Sequence, residues 1–163
     1  MSNNKVIIAS IIATLIIIVG GVFFVSKSGP QVLTTSMTAK AVMAETSHDW
    51  GDISLTGGNA TKTFLIENKG SGTLTLANLV TSCMCTNAKV VIGDDQSPFF
   101  GMHSNSSWQG LVPAGESAQI LVEFDPAFHG PNGFGPITRQ VILETNDQSN
   151  PKITLNLTAN VTK

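Results

Sequence analysis

After Ala44 the apolar residues of this chain recur two positions apart, and that period decides what the chain can fold into. Phe64 and Ile66, Leu74 and Leu76, Ile120, Val122 and Phe124, Val141 and Leu143, and Ile153, Leu155 and Leu157 all follow it. Side chains two apart share one face of an extended strand, so each run buries one face of a sheet. Between the runs lie Thr56-Gly57-Gly58-Asn59, Asn68-Lys69-Gly70-Ser71-Gly72, Pro113-Ala114-Gly115-Glu116 and Asn146-Asp147-Gln148-Ser149-Asn150-Pro151. These residue types favour turns because they tolerate positive φ, preset φ or bond their own backbone. Adding a first strand near Thr46–Ile53 and another over Ala88–Ile92 gives about seven strands. Those are the proportions of an all-β, immunoglobulin-like antiparallel β-sandwich.

Ahead of this domain, residues 6–25 form an apolar run interrupted only by Ser10, Thr14, Gly20 and Gly21, with Lys5 before it and Lys27 after it. At about 1.5 Å per residue a helix of this length matches a hydrocarbon core of roughly 30 Å. The run is long for the apolar part of a leader peptide, and Val25-Ser26-Lys27-Ser28 is a poor small-x-small cleavage site. No cysteine follows it closely, so lipid attachment of the bacterial lipoprotein kind is excluded. The expected layout is a short head over 1–5, a transmembrane helix over 6–25 acting as an uncleaved signal anchor, a tether over 26–43 and the sandwich over 44–163. The amino terminus and Lys5 favour a cytoplasmic head. That reading makes the chain a single-pass membrane protein of the cell envelope with an extracytoplasmic C-terminal domain.

Charge narrows the partners. The chain carries 9 basic and 11 acidic residues for a net charge of -2, with no cluster of Lys or Arg, so it offers no electrostatic footprint for nucleic acid. Nor does the sequence show a Ser-His-Asp arrangement, a phosphate-cradling Gly loop or a paired-carboxylate motif. The expectation is a protein that is not an enzyme, with the membrane and an envelope protein as its partners.

Chemistry must come from Thr81-Ser82-Cys83-Met84-Cys85-Thr86, which holds the only two cysteines. Several uses compete. In a regular strand, Cβ atoms two residues apart are roughly 6.5 to 7 Å apart, against about 3.8 Å across a disulfide, so a bridge requires the backbone to bend. Thiol-disulfide redox work usually rests on Cys-x-x-Cys at a helix start, and no such helix is expected here. A third use is as two small, semi-buried hydrophobes at a strand end. The sharpest is metal binding: Cys83 and Cys85 with Met102, His103 and His129 from two loops would make a soft donor set suited to copper or zinc.

The order of motifs also resembles a known family. His48-Asp49-Trp50-Gly51-Asp52-Ile53, Phe64-Leu65-Ile66-Glu67-Asn68-Lys69-Gly70, Thr81-Ser82-Cys83-Met84-Cys85-Thr86, Pro113-Ala114-Gly115-Glu116-Ser117 and Val122-Glu123-Phe124-Asp125 follow the pattern of the bacterial domain-of-unknown-function family 1573 over about residues 45 to 161. The resemblance implies a Hydin-like immunoglobulin-type domain, usually exported, with no assigned reaction. This chain departs from the pattern by inserting Pro98-Phe99-Phe100-Gly101-Met102-His103 with Trp108, and a Gly- and Pro-rich loop over 126–136 that includes His129. Long loops in a compact domain tend to be functional or disordered. The expected function is a membrane-anchored binding or scaffolding module. An envelope copper- or zinc-binding protein is the alternative, and a thiol-disulfide redox protein comes third.

Overall fold

The computed structural model describes residues 3–26 and 32–163, with the backbone alone for 3–5 and 23–26. Helix α1 (Asn3–Ser26) comes first. The expected single-pass anchor, with its extracytoplasmic placement of the C-terminal domain, is corrected here: among the described residues no helix is long and apolar enough to cross a membrane.

Ten strands follow among the described residues: β1 (Ala41–Met43), β2 (Ser47–Ser54), β3 (Ala60–Asn68), β4 (Leu74–Thr81), β5 (Thr86–Ile92), β6 (Asp95–Gln96), β7 (Gln109–Val112), β8 (Ser117–Phe124), β9 (Gly135–Thr145) and β10 (Lys152–Thr162). They form two five-stranded sheets, β1-β3-β8-β5-β6 facing β2-β10-β9-β4-β7. Seven correspond to the strands read from the alternation. The extra three, β1, β6 and β7, have two to four residues each and lie at sheet edges, too short to display a period. The antiparallel expectation also needs one amendment, since β2 runs parallel to β10. Its neighbours in sequence, β1 and β3, belong to the other sheet, so β2 reaches β10 by crossing over rather than through a hairpin.

The alternating residues form the core. Phe64, Ile66, Leu74, Leu76, Ile120, Val122, Val141, Leu143, Leu155 and Leu157 are all fully buried. Each such side chain stabilises the fold by about 1.5–3 kcal/mol relative to exposure. A second, smaller cluster of Cys85, Phe124 and Val161 lies apart from them, packed with Trp50, Ile53, Cys83 and Ile137.

The segment expected as a tether joins the sandwich before residue 44; its residues 27–31 lie outside the described residues. Ser36 bridges to Asp147, Ala39 and Ala41 are buried, and β1 pairs with β3. Gly70 makes this close packing possible, since a Cβ there would lie 2.6 Å from Lys40 N and 2.9 Å from the Ala39 carbonyl carbon. Asn68 closes the same corner: its Nδ2 donates to the carbonyls of Gly72 (2.8 Å) and Val112 (3.0 Å), and its Oδ1 accepts from Gly70 N at 3.0 Å.

One irregularity aims the far end of β4. The register shifts between Ala77 and Val80, where Asn78 has φ of 52°. A bulge of this kind moves the inward phase by one residue. Leu74 and Leu76 face inward before it, and Leu79 and Thr81 after it.

Candidate functional site

Thr81 ends β4 and Thr86 opens β5, so the cysteines sit in the connection between two strands that belong to opposite sheets. That connection is tightly held. Thr86 N donates to Cys83 O at 3.1 Å, and the buried Thr81 hydroxyl lies 3.0 Å from Cys83 O and 2.8 Å from Thr86 O. Ser82 and Gln140 exchange two bonds of 2.9 Å, and Asp125 N donates to Cys85 O at 2.9 Å. The turn is therefore fixed to β9 and to the end of β8.

The bend brings the Cα atoms of Cys83 and Cys85 to 5.2 Å, and a disulfide joins them. An extended strand would not allow that bond; a turn does. The two sulfurs differ in setting, Cys83 being half-buried and Cys85 only 1% exposed. Met84 between them projects outward, 57% exposed.

The 126–136 insertion arrives beside the pair as a string of tight turns. Asp125 Oδ1 accepts from Ala127 N at 2.8 Å, Gly130 N donates to Ala127 O at 2.8 Å, and Gly133 N donates to Gly130 O at 3.0 Å. Gly130, with φ of 76°, supplies the left-handed residue that the reversal needs. This places His129 Nε2 at 3.7 Å from Cys83 Sγ, with the Phe128 ring packed edge-on to the imidazole at 5.2 Å. The donor atoms of Cys83, Cys85 and His129 lie within 4.8 Å of one another. Of the five residues read as soft donors, these three converge. Met102 and His103 are exposed on the other inserted loop, and His103 is not among the groups that meet at the sulfurs.

Arg139 escaped the sequence reading. Its Nε donates to Cys85 Sγ at 3.0 Å, its Nη1 donates to Thr138 O at 2.8 Å, and its guanidinium lies 5.5 Å from the centre of the Phe124 ring. Burial draws its pKa below the ordinary arginine value. A signal was present: Arg139 is the sole arginine and falls in phase with Ile137, Val141 and Leu143 on the inward face of β9. Trp50 completes the surroundings, stacked on Phe124 at 5.9 Å with its Nε1 donating to Thr61 O at 3.1 Å. The site thus combines a half-accessible sulfur beside an imidazole with a buried sulfur beside a guanidinium. Sulfur and imidazole are donor types that soft metals take, and a disulfide is the bond that thiol exchange opens.

Residues 44–160 match the model of the HYDIN/CFA65/VesB-like, Ig-like domain family. Among solved structures, a protein of unknown function from Porphyromonas gingivalis W83 is similar at 20% identity with a TM-score of 0.58, over 79% of this chain and 50% of that one. This chain therefore spans about half the length of that protein. A family 123 glycoside hydrolase from Clostridium perfringens is similar at 10% identity and TM-score 0.51 over 77% of this chain, but over only 28% of its own length. The PapD-like domain 7 of human CEP192 gives 15% identity and a TM-score of 0.49, covering 82% of this chain and 92% of that one. No curated protein matches the sequence. At these identities the Porphyromonas and Clostridium structures speak for the fold alone. The family match confirms the Hydin-like immunoglobulin-type domain without carrying the narrower family 1573 or its Thr-Ser-Cys-x-Cys-Thr motif. The chain belongs to the HYDIN/CFA65/VesB-like Ig-like domain family.

Proposed function

We propose that the chain is a non-enzymatic binding or scaffolding module that meets a protein partner through the end of the sandwich carrying the disulfide. The observation that carries this reading is the exposure of large apolar side chains on tightly hydrogen-bonded loops there. Met84 is 57%, Phe128 46% and Phe134 49% exposed, although the backbone around them is held by turn bonds. Exposed apolar groups on a rigid support mark contact surfaces, because their burial by a partner requires little ordering. The motif order in the sequence, including Thr81-Ser82-Cys83-Met84-Cys85-Thr86, further supports the narrower family 1573 reading.

The test is photo-crosslinking in the native host with benzoylphenylalanine at Met84 or Phe128. A control at Ser71, exposed in the turn at the opposite end of β4, reports background. The reading expects a discrete adduct from Met84 and Phe128 and none from Ser71. Equal, diffuse labelling at all three positions refutes it.

A further inference from the structure

We propose that the Cys83–Cys85–His129 cluster is a redox-gated Cu(I) site: once the disulfide is reduced, two thiolates and the His129 imidazole hold one monovalent copper ion. This reading is independent of the partner-binding role, since it uses the donor atoms of the pole rather than its apolar rim.

Geometry comes first. A metal bound to thiolate at about 2.3 Å and imidazole at about 2.0 Å, with ligands about 120° apart, separates those two donors by roughly 3.7 Å. Cys83 Sγ and His129 Nε2 are 3.7 Å apart in the disulfide form. The imidazole therefore already lies within ligand reach of Cys83. Two thiolates on the same ion lie roughly 4 Å apart by the same arithmetic. The sulfurs must separate to that distance on reduction, and Cα atoms only 5.2 Å apart in a turn keep them from separating far.

The donor set and charge then select the ion. Two sulfurs and one nitrogen favour soft Cu(I) over hard cations. Zinc seeks four ligands, and among the described His, Cys, Asp and Glu side chains only these three converge. Two thiolates carry two negative charges, which Cu(I) and the Arg139 guanidinium, 3.0 Å from Cys85 Sγ, neutralise together. A divalent ion would leave an excess positive charge in a partly buried pocket, at a cost in desolvation.

The gate is the disulfide bond. A dithiol reductant breaks the Cys83–Cys85 bond by supplying two electrons and two protons, and itself becomes a disulfide. Copper binding then releases the two thiol protons to solvent. In the oxidised form both sulfurs are spent on one another and offer no thiolate.

The experiment titrates Cu(I), anaerobically, into the full chain in its reduced and oxidised forms against a chromophoric Cu(I) chelator, with X-ray absorption on the loaded sample. The proposal expects one equivalent bound to reduced protein, none to oxidised protein, and a first shell of two sulfurs and one nitrogen. His129→Ala should weaken binding by at least about tenfold, the scale on which even residues supporting a metal ligand act. His103→Ala should leave it unchanged. Circular dichroism checks that each variant stays folded, and Cys83→Ser with Cys85→Ser sets the zero. Reduced protein that binds no better than this double variant overturns the proposal. So does a shell without nitrogen, or tighter binding of Zn(II) than of Cu(I) in parallel competition.

Discussion

Asp147 offers the sharpest energetic test of the fold, because one buried carboxylate ties the N-terminal strand to the β9–β10 turn. It is 3% exposed, and its Oδ2 accepts from Ala41 N at 2.9 Å and from Asn150 Nδ2 at 3.1 Å while its Oδ1 accepts from Ser149 N at 2.8 Å. Asp147→Ala removes both acceptor oxygens and with them all three hydrogen bonds. Ser149 and Asn150 are exposed and can turn to water, so their loss costs little. Ala41 is buried, and orphaning a buried N–H costs about 1–3 kcal/mol, with more lost because its partner is charged. A total near 3 kcal/mol corresponds to a fall in Tm of about 12 °C for a domain of this size. The pH dependence follows from the carboxyl's shift. Burial pushes its pKa up, but the bonds from Ala41, Asn150 and Ser149 outweigh burial and hold it below the ordinary value. A lowered folded-state pKa stabilises fully above the unfolded value of about 3.9 and is lost as pH falls through the folded one. Thermal melts of wild type and Asp147→Ala should therefore differ by a constant gap from about pH 8 to 5, and the gap should narrow below about pH 4. A gap under 2 °C at neutral pH, or one that widens on acidification, would refute this account of the strand's attachment.

Other outcomes follow from the same contacts. Gly70→Ala drives a methyl into the backbone of residues 38–40 and should lower stability by at least about 2 kcal/mol, read by urea titration; a neutral effect would mean that this segment is not packed there. Thr81→Val, of nearly equal volume, strips the hydroxyl from the Cys83 and Thr86 carbonyls and should cost about 1–2 kcal/mol. The same variant should speed reduction of the disulfide by a small dithiol, followed by thiol quantitation, because the turn around the cysteines loosens. Arg139→Gln removes the donor to Cys85 and the cation over Phe124, and should cost about 1 kcal/mol in a chemical melt.

The sandwich was legible because period two is a strong signal in β3, β8 and β10, where burial is one-sided and no helical spacing competes. β1, β6 and β7 were not legible, because strands of two to four residues carry no period. Within β4 the alternation breaks at Asn78, and only the bulge explains why both Leu76 and Leu79 point inward. Residues 36–43 read as a tether on composition alone, since their partners, Asp147 and the Asn68–Gly72 turn, lie far along the chain. The same limit governed the site. Cys83 and Cys85 declared themselves by rarity, but choosing His129 over His103 depends on how two inserted loops fold back, which local sequence does not encode. Arg139 was visible as a charge on an inward face and went unread. The apolar run over 6–25 was over-read, because length and hydropathy in a sequence stand for a span only where the structure bears one out.

The copper-site proposal rests on His129 sharing one site with the two sulfurs, and nitrogen-detected NMR of the imidazoles tests this directly. Spectra of the oxidised and reduced protein should show the His129 ring nitrogens moving on reduction while those of His48 and His103 stay within line width. A still His129, or a His103 that moves instead, would contradict it.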